Sequence, residues 1–88
     1  MRTVLLWSEE TDYASEVREW LRDFEHDTGG DKIESLDPQA GAGEEFAKAY
    51  DIVQYPAVAV VGDDGKLLQL WKGTPMPQIE QVAFWGNN

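Results

Sequence analysis

One histidine, 17 acidic side chains and no cysteine bound the chemistry open to this 88-residue chain. Without a thiol there is no disulfide, no thiolate metal ligand, no cysteine nucleophile and no dithiol redox couple. His26 alone makes a poor transition-metal site, and near a helix C-terminus an imidazolium has a structural use against the helix dipole. Glu9, Glu10 and Asp12 carry the oxygen donors that Ca²⁺ and Mg²⁺ take, but three acids ahead of a helix read more simply as a solvated loop with a cap. Gly41-Ala42-Gly43 lacks the Lys and Ser/Thr of a phosphate loop, and Asp63-Asp64-Gly65 is turn chemistry. No metal, no cofactor and no enzymatic activity are expected.

A formal net charge of −10 opposes nucleic acid and anionic membranes, since the seven Lys and Arg are scattered rather than clustered. Basic proteins or peptides are the partners that charge permits. Hydrophobic residues make up 42% of the chain, which is ordinary globular usage and argues for one folded domain over residues 1–88. The apolar run near Met1 is too short for a signal peptide or a membrane span, so a cytoplasmic address is expected.

The elements that must position these residues follow from spacing. Thr3 to Trp7 is a β-prone run, and Tyr13, Val17, Trp20, Leu21 and Phe24 mark one face of a helix, capped by Thr11 or Asp12 and stopped by Gly29-Gly30. Lys32 to Leu36 is a short edge strand, Asp37 to Gly43 a loop, and Glu44 to Tyr50 a helix burying Phe46, Ala47 and Tyr50. Ala57 to Val61 is apolar throughout, so it is a strand covered on both sides. Gly62-Asp63-Asp64-Gly65 then turns the chain into an antiparallel strand over Lys66 to Lys72. Thr74 caps a last helix with Pro75 as its first residue, ended by Gly86-Asn87-Asn88. The order is βαβαββα, an α/β fold with helices on both faces of a four-stranded mixed sheet. Trp20, Phe24 and Phe46 belong to its core; Tyr13 straddles core and surface with its hydroxyl in water.

Tyr50-Asp51-Ile52-Val53-Gln54-Tyr55-Pro56-Ala57 resembles the tyrosine, glycine, valine, two variable residues, apolar, proline, threonine pattern of the thioredoxin and glutaredoxin superfamily. Gly73 matches the family's glycine after the fourth strand, and Trp7 an aromatic at the end of the first. The resemblance covers nearly the whole chain and implies a thioredoxin-like fold with a cis Tyr55–Pro56 bond. Thr11-Asp12-Tyr13-Ala14 falls in the place of the family's Cys-x-x-Cys, Thr11 for the nucleophile and Ala14 for the resolving cysteine. A threonine hydroxyl with no base beside it does not replace a thiolate, so the family's oxidoreductase activity does not carry over.

What the resemblance leaves is recognition. Trp7, Thr11, Asp12, Tyr13, Tyr55, Pro56 and Gly73 are expected to converge into a groove that takes a peptide against the backbone before Pro56. The expected function is a redox-inactive protein- or peptide-binding module. The alternatives are a descendant enzyme binding a small ligand such as glutathione or a metal, and a structural or engineered domain without dedicated activity. Leu67 and Trp71, on one face of an edge strand, with Trp85, form a candidate partner patch, so the chain is expected to be a monomer or a weak homodimer through that edge.

Overall fold

The computed structural model describes residues 1–28 and 33–86. Strands β1 (Arg2–Leu6), β2 (Glu34–Leu36), β3 (Ala57–Val61) and β4 (Leu67–Lys72) alternate with helices α1 (Ala14–Asp27), α2 (Gly41–Ala49) and α3 (Ile79–Gly86) in the order βαβαββα. The sheet order is β2-β1-β3-β4, with β1 and β2 parallel and the other two pairs antiparallel. This is the mixed four-stranded sheet that the sequence implies.

Every side chain of β3 is buried, because each face of the sheet carries its own core. On one face Val4, Leu6, Ala57, Ala59 and Val61 pack with Phe46 and Ala47 of α2. On the other, Leu5, Trp7 and Val58 pack with Ala14, Val17, Trp20 and Phe24 of α1 and Val82 of α3. Alternation along β1 and β3 therefore divides a continuous apolar run between two layers of helix. Among the described residues no helix is long and apolar enough to cross a membrane.

Several boundaries differ from those read in the sequence. Tyr13, not Thr11 or Asp12, is the N-cap of α1, and no side chain caps it. The Thr11 hydroxyl instead donates to the Ser8 carbonyl at 2.7 Å, holding residues 8–13 in a turn of their own. The Tyr13 hydroxyl, expected in water, accepts the Ser8 amide at 3.0 Å. Helix α2 starts at Gly41, because Asp37 accepts the Gln39 amide on its carboxylate and the Ala40 amide on its carbonyl, turning the chain early. Helix α3 starts at Ile79, so Thr74 does not cap it; each proline in Thr74-Pro75-Met76-Pro77 excludes helical geometry from the residue before it. That segment is held to α1 by the Trp20 indole, which donates to the Pro77 carbonyl at 2.8 Å, and by the Met76 amide on Glu16. The expected glycine stop at Gly29-Gly30, the strand start at Lys32 and the terminal Asn87-Asn88 lie outside the described residues.

Strand β4 holds one further correction. Leu67 and Trp71 do not share a face: Leu67 packs on the α2 side and Trp71 on the α1/α3 side. Val60 pairs with Gln69 but Val61 with Leu67, so Leu68 is an inserted residue. A bulge of one residue inverts the alternation beyond it.

Candidate functional site

The C-terminal ends of parallel β1 and β2 lie at one edge of the sheet, where ligands of open α/β sheets gather. Leu6 pairs with Leu36 and with Ala57, and Ala57 with Lys72. One residue further along, Asp37, Trp7, Pro56 and Gly73 stand side by side across all four strands. The Gly73 amide donates to the Pro56 carbonyl at 2.8 Å, and the Trp7 amide to the Leu36 carbonyl at 3.1 Å. The Tyr55–Pro56 peptide bond is cis, as is Thr74–Pro75.

The seven residues named from sequence reach this end of the fold but do not line one groove. Trp7 is 8% exposed and packs with Tyr13 on the α1/α3 side, its indole donating to Ser35 Oγ at 2.6 Å. Tyr55 packs on the α2 side, its hydroxyl donating to the Ile52 carbonyl at 2.7 Å. The Pro56 ring is fully buried and offers no surface.

Two clefts result. The first, of about 500 Å³, takes Trp7 and Thr11 together with Glu9, Glu10, Asp37 and Gln39. The second, of about 440 Å³, takes Tyr55 with Gln39, Glu44, Lys48, Asp51 and Val53. Gln39 lines both, so the two clefts adjoin across the loop after β2. Among the described residues no Lys or Arg lines the first; in the second, Lys48 is drawn to Glu44 at 3.4 Å, one helical turn away. The surface is acidic along its length. Asp12, Tyr13, Pro56 and Gly73 line neither cleft.

Sequence reasoning missed Ser35, Asp37 and Gln39. They sit in or beside a loop that composition marks only as a turn, 24 or more residues from Thr11. The usable signal is topological: two parallel strands end at the same edge, so the loop after β2 must lie beside the loop after β1. The Ser8 hydroxyl and the Asp37 carboxylate, 3.3 Å apart, join the two loops.

One main-chain feature stands apart. Among the described residues, neither the N–H nor the C=O of Tyr55 has a hydrogen-bond partner, although the residues after it enter the central strand. The chemistry open to the rest is narrow. The Thr11 hydroxyl is engaged with a carbonyl, and His26 lies at the far end of α1, roughly 18 Å along the helix axis from Ala14. No group of three or more His, Asp or Glu among the described residues is placed to hold a metal ion.

No family model and no curated protein matches the sequence. Among solved structures, a designed protein matches with a TM-score of 0.67 at 19% identity, over 98% of this chain and 72% of that one. Thioredoxin 1 from the thermophilic eubacterium Thermosipho africanus TCF52B matches with a TM-score of 0.64 at 9% identity, over 97% of this chain and 89% of that one. This chain has a thioredoxin-like fold and none of the cysteines that a thiol–disulfide exchange requires.

Proposed function

We propose that this chain is a redox-inactive binding module that takes an extended, basic peptide or protein segment against the main chain of Tyr55. The observation that carries the reading is the open N–H and C=O of Tyr55 at the rim of the sheet. An extended peptide satisfies such a pair by adding strand-like hydrogen bonds, while side-chain pockets on either side select sequence. The flanking clefts supply those pockets, and their carboxylates, Glu9, Glu10 and Asp37 in one and Glu44 and Asp51 in the other, favour lysine and arginine. Pro56 acts from within the core by placing Tyr55, not by touching the partner.

The test is a ¹⁵N NMR titration with an extended lysine-rich peptide. The Tyr55 amide is expected to shift in proportion to occupancy, with the Gln39 amide following because Gln39 lines both clefts. A Tyr55→Ala variant is expected to bind several-fold more weakly while remaining folded. Saturable binding that leaves the Tyr55 and Gln39 amides unmoved would sink the reading.

A further inference from the structure

Two of the four tryptophans are tied into the fold by their indole N–H: Trp7 donates to Ser35 and Trp20 to the Pro77 carbonyl. The indoles of Trp71 and Trp85 have no partner among the described residues. Both line a cleft of about 360 Å³ between the edge strand β4 and helix α3, with Gln69, Glu80, Gln81 and Phe84. Phe84 is 61% exposed and meets Trp85 edge-to-face at 5.9 Å. Three aromatic rings surround a space whose only charged lining group among the described residues is a carboxylate.

We propose that this cleft is a second recognition site, which holds an arginine side chain of a basic polypeptide. A guanidinium is planar, stacks on aromatic faces and pairs in a forked geometry with a carboxylate, so the rings and Glu80 together match it. The two open indole N–H groups are donors, suited to the backbone carbonyls on either side of that arginine. A second copy of this chain fits poorly, because docking two faces of this kind brings two Glu80 carboxylates and two chains of net charge −10 together. The bulge at Leu68 also blunts the β4 edge against strand-to-strand pairing. The site is on a different edge of the sheet from Tyr55 and does not depend on it.

The probe is an octapeptide of alternating glycine and arginine, compared with its citrulline counterpart, which keeps the side-chain shape without the charge. In ¹⁵N spectra the Trp71 and Trp85 indole resonances are expected to move with the arginine peptide, while those of Trp7 and Trp20 stay. Phe84→Ala removes an exposed ring outside both cores and is expected to weaken this binding about two- to fivefold. Glu80→Gln is expected to do the same, whereas Glu45→Gln, an equal charge change on the opposite face, leaves affinity unaltered. Tyr55→Ala leaves the indole shifts in place, which separates this site from the Tyr55 groove. Equal binding of the citrulline peptide, an unchanged affinity in Phe84→Ala, or a concentration-dependent dimer abolished by Phe84→Ala each overturns the proposal.

Discussion

The Gly73 amide donates to the Pro56 carbonyl at 2.8 Å, extending the β3–β4 ladder one residue beyond its last pair, Ala57 with Lys72. Gly73 makes that bond with φ at +75°, a region that costs an L residue about 1–2 kcal/mol. An added Cβ would also stand 2.7 Å from Nε2 of Gln54, the far end of an exposed side chain that can swing away. Backbone strain, not the contact, therefore dominates. Gly73→Ala is expected to lower stability in urea by about 1–2 kcal/mol, and adding Gln54→Ala should restore little of it.

The turn at Thr11 permits a direct test of the four-residue correspondence with a dithiol. The Ala14 amide donates to the Thr11 carbonyl at 3.3 Å, a one-turn closure that brings the ends within about 7 Å. Disulfides span Cα separations of about 4.4–6.8 Å. The double variant Thr11→Cys/Ala14→Cys is expected to form an intramolecular disulfide in air, seen as loss of free thiol without dimer. Persistent free thiols in the folded variant would show that the two positions are not equivalent to the cysteine pair.

A glycine inside a helix usually loses about 0.5–1 kcal/mol relative to alanine, but Gly43 in α2 inverts that expectation. A Cβ there would collide with the Asp37 carbonyl oxygen, a backbone atom fixed by the turn that starts the helix. Gly43→Ala is expected to destabilise by about 1–3 kcal/mol, the range for forcing a methyl into filled space. Gly43→Ala as stable as the wild type would mean that the Asp37 turn yields freely.

The sequence made β3 legible because five consecutive apolar residues leave no polar face, and α1 because its apolar steps follow one helical stripe. Trp71 and Leu67 were misplaced relative to each other since a bulge is a property of two paired strands, and one strand's spacing cannot reveal it. The start of α3 was misjudged because Thr74-Pro75 carries a capping signature that the following Met76-Pro77 cancels. Within the site, Trp7 and Thr11 were accessible through one loop's sequence. Gln39 was not: its place between two clefts depends on β1 and β2 being parallel neighbours, which is a tertiary fact.

Asp51 stands where the thioredoxin pattern has glycine, and its own backbone is left-handed, with φ at +55°. Aspartate tolerates this region better than most residues, though less readily than glycine. Asp51→Gly is expected to raise stability by at most about 1 kcal/mol and Asp51→Ala to lower it by a similar amount. Asp51→Asn, which removes charge but keeps the tolerance, serves as the control and should fall close to the wild type in chemical denaturation.

Acid should loosen the β1–β2 edge in a defined direction. Arg2 donates to both carboxylate oxygens of Glu34 at 2.9 Å, and these hydrogen bonds, more than charge alone, hold the Glu34 carboxyl below its usual value of 4.5. A carboxyl with a lower folded than unfolded value adds stability above the unfolded value and loses it as pH falls through the folded one. The Arg2 guanidinium is raised by the same bonds, so its share is lost only in strong alkali. Both side chains are nearly half exposed, at 47% and 46%, which limits the pair to about 0.2–1 kcal/mol. Glu34→Gln is therefore expected to cost that amount at about pH 7 and progressively less as pH falls through the folded Glu34 value. Asp63, lowered by the N-terminal ammonium, titrates in the same sense, and acetylating Met1 removes its shift. Denaturation curves for wild type and Glu34→Gln that stay parallel across this range would show that Arg2 and Glu34 do not interact in solution.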